Sequence, residues 1–214
     1  MIQVHKLTFN PFAENTYILS DETKACAIID PGCYFPEERQ QLKAYIDSHD
    51  LKPVALWNTH CHLDHVFGNY FIAQEYGLSL GVHELDLPTL ANMPLAASMY
   101  GINAYQQSPE PDYFIKENTK IKFGQSELEV LFTPGHAPGH VVFYSPEDKF
   151  VINGDVLFQG SFGRYDLPGG DFNGLKDSIV NVMFKLPDDT KVYTGHGNET
   201  EIGIEKQTNP ILMM

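Results

Sequence analysis

Thr59-His60-Cys61-His62-Leu63-Asp64-His65 constrains this chain more than any other stretch, because three imidazoles and a carboxylate fall within six consecutive positions. Nine histidines scattered over 214 residues do not cluster this way by accident. Imidazole and carboxylate are the donors that hold a borderline divalent cation such as zinc, so the segment reads as a metal site. Val54-Ala55-Leu56-Trp57 before it is a short apolar run of strand type, and Val66 to Tyr76 after it carries apolar residues at helical intervals. The motif therefore sits on a strand-to-helix crossover. On near-extended backbone His60 and His62 project to one side and can chelate one ion. Asp64 and His65 begin the next turn and diverge from that pair, so a second, neighbouring position is expected.

Further donors stand at the ends of other apolar runs. Phe132-Thr133-Pro134-Gly135-His136-Ala137-Pro138-Gly139-His140 follows a strand-type run, and its Pro and Gly residues make a tight turn that holds His136 at the strand end. Val151-Ile152-Asn153-Gly154-Asp155 ends in a carboxylate, and Val192-Tyr193-Thr194-Gly195-His196-Gly197 ends in an imidazole between glycines that permit close backbone approach. Loops at strand ends are where a rigid scaffold carries function.

The pattern His60-x-His62-x-Asp64-His65, then His136, Asp155 and His196, resembles the metallo-β-lactamase superfamily over essentially the whole chain. Gly163-Arg164-Tyr165-Asp166-Leu167-Pro168-Gly169-Gly170, and the tail from Gly195-His196-Gly197 to Asn209-Pro210, resemble its short bacterial glyoxalase-II-like (hydroxyacylglutathione hydrolase-like) branch. The resemblance implies that His60, His62 and His136 hold a first metal, that Asp64, His65 and His196 hold a second, and that Asp155 bridges them. It implies two Zn2+ per chain, with iron or manganese as alternatives. Full-length glyoxalase II carries a C-terminal helical region that supplies much of its basic glutathione-binding surface, whereas this chain stops at Ile211-Leu212-Met213-Met214, so a looser preference for glutathione is expected.

Mechanism follows from the metals. Two cations sharing one water lower its pKa from 15.7 to about 7, and the resulting hydroxide, flanked by the catalytic carboxylates Asp64 and Asp155, attacks a carbonyl carbon. A leaving thiolate is a soft ligand suited to zinc. No Gly-x-Ser-x-Gly elbow and no Gly-rich nucleotide fingerprint offers another chemistry. A small thioester, glutathione-derived by resemblance, is the expected substrate. The rivals are a mononuclear iron persulfide dioxygenase of the same superfamily and a binding module with structural ions; the latter conflicts with a His/Asp site that lacks cysteine ligands. Asp30, in Ile28-Ile29-Asp30-Pro31-Gly32, resembles the family's aspartate that orients a ligand. Arg164 is one of only two arginines and is the candidate clamp for a substrate carboxylate. His140 is read as packed or as orienting a ligand, and His5, His49 and His83 carry no assigned role.

Composition narrows the partners. The 14 basic against 28 acidic residues give a formal charge of −14, which disfavours binding to a phosphate backbone, so no nucleic acid is expected. No apolar run approaches a membrane span, and Met1-Ile2-Gln3-Val4-His5-Lys6-Leu7 reads as a first strand and not as a signal peptide. Cys26, Cys33 and Cys61 are odd in number and lack zinc-ribbon spacing, so a reducing cytoplasm is the expectation. Cys61 alternates with the ligand histidines and should point away from the ions.

With 43% hydrophobic residues the chain can bury one substantial core, and a single domain over 1–214 is expected. Strands are predicted near 2–8, 15–20, 25–30, 54–59, 79–82, 120–124, 127–133, 140–145, 149–154 and 191–194. Helices are predicted from Pro36 through His49, from 66 to 76, from about Glu84, and through Leu175, Ile179, Val182, Met183 and Leu186. Strand-then-Asp and strand-then-His recur in both halves. The fold class is α/β: a four-layer αββα arrangement in which two mixed β-sheets pack face to face with helices outside. Residues 88–118, rich in Pro, Met and Tyr, are too long for a simple connection and are read as an active-site flap.

Overall fold

The computed structural model describes residues 1–214. Strands β1 (Gln3–Phe9), β2 (Glu14–Ser20), β3 (Ala25–Ile29), β4 (Lys52–Trp57), β5 (Leu80–Val82) and β6 (Tyr113–Phe114) form one sheet in that order. Then follow β7 (Lys120–Phe123), β8 (Ser126–Phe132), β9 (Val141–Ser145), β10 (Phe150–Gly154), a small ribbon of β11 (Leu157–Phe158) and β12 (Ser161–Phe162), β13 (Lys191–Thr194) and β14 (Thr200–Glu201). The second sheet runs β14-β13-β10-β9-β8-β7. Both sheets are mixed. The first is antiparallel from β1 to β3 and parallel from β3 to β6; the second is antiparallel except where β10 meets β13. The helices are α1 (Pro36–Ser48), α2 (Leu63–Val66), α3 (Asn69–Tyr76), α4 (Leu87–Met99), α5 (Phe172–Asp177) and α6 (Ile202–Thr208).

Strand alternation builds three apolar layers. Tyr17 and Leu19, Ala27 and Ile29, and Ala55 and Trp57 face inward from the first sheet and meet Leu128, Val130, Val141, Phe143, Phe150 and Ile152 of the second. The residues between them face outward. Ile18, Cys26, Ile28 and Leu56 pack under α1, α3 and α4 with Leu42, Ile46, Ile72, Leu90 and Met93. Val142, Tyr144, Val151 and Val192 pack under the C-terminal helices with Leu175, Ile179, Met183 and Ile202. Both strand faces are buried, which is why these runs are continuously apolar and not alternately polar. The αββα arrangement expected from the sequence is the one observed. No helix is long and apolar enough to cross a membrane.

Two helices depart from the simple periodic reading. The run 66–76 is divided at Gly68, whose N–H donates to the Pro31 carbonyl at 2.6 Å and where a Cβ would lie 2.5 Å from Cys33 Sγ. Close contact with the β3–α1 loop interrupts the helix there. The run 175–186 starts as α5, widens into a π-type turn over Ser178–Val182 and ends as a 3-10 turn over Met183–Lys185. Its apolar residues still face the second sheet. Within 88–118, α4 follows a 3-10 turn at Glu84–Asp86, and Tyr113 of β6 accepts a 2.7 Å bond from the Trp57 indole.

Candidate metal centre

Strand ends from both sheets converge on one point. His60 and His62 follow β4, Asp64 and His65 stand in the first turn of α2, His136 follows β8, Asp155 follows β10 and His196 follows β13. The donor atoms of His60, His62 and His136 lie within 4.8 Å of one another, as do those of Asp64, His65 and His196. Asp155 lies between the groups. Its Oδ2 is 3.4 Å from His136 Nε2 and 3.5 Å from His196 Nε2, and its Oδ1 is 3.5 Å from His65 Nε2. All seven residues singled out from the sequence are therefore brought together.

Each imidazole that is anchored turns its other nitrogen toward the centre. His136 Nδ1 donates to the Arg164 carbonyl at 2.7 Å, and His196 Nδ1 donates to the Phe12 carbonyl at 3.0 Å. His60 Nδ1 meets Thr59 Oγ1 at 3.0 Å, and that hydroxyl donates to Asp30 Oδ2 at 2.6 Å. His65 Nδ1 is 3.2 Å from the same Asp30 oxygen. Partners of this kind fix the tautomer and raise the basicity of the free nitrogen. The centre-facing atoms His60 Nε2, His65 Nε2 and Asp155 Oδ1 are buried without a hydrogen-bond partner. Buried polar groups are otherwise nearly always satisfied, so these orphans fit divalent cations.

The two groups differ in charge. Burial, with neighbouring imidazoles adding to it, pushes His60 far below the ordinary histidine value and His62 down to about 3; burial also lowers His136. These three are neutral and ready to coordinate. Burial alone would lower His65 and His196 too, but Asp64 and Asp155 outweigh it, holding His65 well above its usual value and His196 at about 10. The same pairing outweighs burial to keep Asp155 far below the carboxylate range and Asp64 below it. Protons at the second group stand where a cation would sit.

Tight backbone is required around Asp155. A Cβ on Gly195 would lie 2.0 Å from Asp155 Oδ1. Gly154, at φ +53°, would place one 2.5 Å from Thr59 Oγ1 and 2.7 Å from His140 Nε2. The glycine flanking His196 on its N-terminal side thus serves close approach.

His140, read from the sequence as packed or as orienting a ligand, gains defined partners here, and Asp86 and Glu14 emerge only in three dimensions. His140 is fully buried; its Nε2 accepts the Asp155 N–H at 3.1 Å and its ring stacks on His60 at 4.8 Å. Asp86 is fully buried and takes the N–H of Cys61 at 2.6 Å and of Gly139 at 2.9 Å, tying the two histidine loops together. Glu14, also fully buried, places Oε1 4.0 Å from His65 Nδ1, and burial raises its carboxyl well above the usual range. A buried acidic residue opening a strand or a helix gives no local signal of such a role. Cys61 lies in the outer apolar layer, as alternation predicts, and all three cysteines are free and buried. His5 stacks on Tyr45 and His83 on Phe132, away from the centre. Arg164 lines the cleft above the donors, with its guanidinium bound at 2.8 and 3.0 Å to Asp166.

Residues 9–196 match the model of the Metallo-beta-lactamase superfamily. The hydroxyacylglutathione hydrolase GloC of Haemophilus influenzae is 37% identical over 202 residues, 94% of this chain and 93% of that protein. Among solved structures, TTHA1623 in a di-iron-bound form is 40% identical with a TM-score of 0.87, covering 97% of this chain and 99% of that one. The BLEG-1 B3 metallo-beta-lactamase is 30% identical, also at 0.87, with both chains covered completely.

Proposed function

This chain belongs to the metallo-beta-lactamase superfamily, and from that membership we propose that it is a binuclear metal-dependent hydrolase cleaving a small thioester of the hydroxyacylglutathione type. One observation carries the binuclear reading: the buried Asp155 carboxylate reaches both donor groups, at 3.4 Å to His136 and 3.5 Å to His65 and His196. His60, His62 and His136 would hold one ion, Asp64, His65 and His196 the other, and Asp155 both. Zinc suits this donor set, and the di-iron form of TTHA1623 makes iron the first alternative. Bound there, such ions would supply the Lewis acidity needed to acidify a water and polarise a thioester carbonyl.

The chain's own groups do the positioning. Asp30, Thr59, and the Arg164 and Phe12 carbonyls hold the imidazoles in register, so little reorganisation is needed when charge develops. Asp64 and Asp155 line the cleft, where their carboxylates would accept hydrogen bonds from an attacking water and orient it. The GloC relative, a hydroxyacylglutathione hydrolase, supports the thioester assignment.

Metal analysis joined to a thioester assay tests this reading. Close to two transition-metal ions per chain are expected, with turnover of S-lactoylglutathione or a simpler thioester, and Asp155→Ala should lower retention of both ions. Saturation at one ion would exclude the binuclear centre. Dioxygen consumption with glutathione persulfide, without thioester turnover, would replace the hydrolase by the oxygenase.

A further inference from the structure

The cleft over the donor groups, about 1280 Å³, has an apolar wall whose outermost side chains serve neither the core nor the metal centre. Asn92, Met93, Ala96, Met99 and Tyr100 of α4 and its C-terminal end line it at the spacing of one helical face. Leu95, Met99 and Tyr100 are 64%, 80% and 57% exposed, so they add little to the core beneath them. Phe12 extends this surface to the centre. Its ring meets Tyr100 edge-on at 5.7 Å, while its carbonyl accepts from His196. Leu167 and Pro168 also line the cleft.

Side-chain cations are scarce in the cleft outside the donor groups. Arg164 is the only Lys or Arg side chain lining it, and both of its bonds go to Asp166. A carrier with two carboxylates finds no free side-chain cation here, whereas an apolar group finds a surface that gains by leaving water. From Asn92 to Tyr100 the helix face runs about 12 Å, the reach of a medium-length chain.

We propose that this wall is an acyl-chain subsite, making the preferred substrate a neutral thioester with an apolar acyl group. The inference rests on the reading as a metal-dependent thioester hydrolase and replaces the hydroxyacylglutathione type of substrate by one with a neutral carrier and an apolar acyl group. A methylene fully removed from water is worth about fourfold in binding, and an open wall recovers about half of that free energy, or about twofold.

The holoenzyme should be assayed with N-acetylcysteamine thioesters, a neutral carrier, from acetyl to octanoyl. The expected kcat/KM rises about twofold per methylene, and the rise flattens in Met99→Ser and in Leu95→Ser while metal content is retained. Calorimetry with the non-hydrolysable thioether S-octyl-N-acetylcysteamine reads the subsite without turnover; binding with a negative heat-capacity change, weakened in both variants, is expected. If that thioether binds as predicted and no thioester is cleaved, the subsite stands and the hydrolase reading fails. A flat chain-length series with active enzyme overturns the subsite and leaves the hydrolase. Light scattering that shows a wild-type dimer dissociated by Leu95→Ser would assign the wall to a second copy of the chain and overturn the proposal as well.

Discussion

At the scale of single residues, orientation of the imidazoles matters as much as their identity. Asp30 has a backbone φ of +49°, a left-handed conformation that Asp tolerates better than most residues. It uses both oxygens: Oδ1 accepts the Thr59 N–H at 2.7 Å, and Oδ2 accepts the Thr59 hydroxyl and faces His65. Asp30→Asn keeps the shape and removes an acceptor, so it should weaken metal retention about 10- to 100-fold. Competition with a chromogenic chelator measures this; unchanged retention would leave Asp30 a mere turn residue. Arg164 is governed by Asp166 in the same way. Asp166→Asn should free the guanidinium and lower KM for a carboxylate-bearing thioester several-fold, whereas adding Arg164→Ala to that variant should raise KM again more than it lowers kcat. Equal kinetics in both variants would reject a carboxylate clamp at this position.

At the scale of elements, the site depends on loops from different sheets keeping one register. Asp86, at the start of α4, is the crosstie, because it satisfies buried N–H groups on the 60–65 loop and on the 136–140 loop. Each buried donor left without a partner costs about 1–3 kcal/mol. Asp86→Ala should therefore destabilise the fold by about 2–5 kcal/mol in urea titrations of the metal-loaded protein and loosen both halves of the first donor group. A loss under about 1 kcal/mol would mean that water replaces the carboxylate. Periodicity located ten strands to within a residue or two, since buried strands are short apolar runs with sharp ends, but it missed the two-residue β6, β11, β12 and β14, which are too short to show a period. It did not reveal the break at Gly68 or the widened turn at Ser178–Val182. Those features answer to contacts with Pro31 and with the Pro134 carbonyl, which lie far away in the chain.

For the molecule as a whole, the buried imidazoles set the pH response of the metal-free state. Burial keeps His60, His62, His136 and His140 neutral, so below about pH 6.5 the unfolded chain takes up protons that the native chain refuses. Stability then falls with acidification, by about 1.4 kcal/mol per pH unit for each proton of difference. Glu14 and Asp86, whose buried carboxyls stay protonated above their usual range, subtract from that slope. Above pH 6.5 the sign reverses. The raised values of His65 and His196 leave the native chain holding protons that the unfolded chain has lost, so stability declines toward pH 10. Thermal unfolding of chelator-treated protein should show a maximum near pH 6.5, and bound metal should remove the high-pH decline by replacing those protons. A melting temperature that climbs steadily from pH 6.5 to 9 without metal would contradict this assignment.

Residue spacing by itself singled out His60, His62, Asp64 and His65 as a candidate metal-binding set, because chelation by near neighbours is a local property of extended and helical backbone. Strand-end position was enough to single out His136, Asp155 and His196, and the alternation of apolar faces was enough for the layered fold. Only the tertiary structure decided what stands behind those donors. The acceptors that orient them are the carbonyls of Phe12 and Arg164, and carbonyls carry no residue identity. Glu14 and Asp86 are polar residues whose roles exist only once distant loops bury them, and only the fold chose between the two readings of His140 by setting it against Asp155 and His60. The sequence read 88–118 as an active-site flap without saying which side chains face the site; in the fold α4 turns Leu95 and Met99 to the cleft because the layer beneath is already filled by Leu90, Met93 and Ala97.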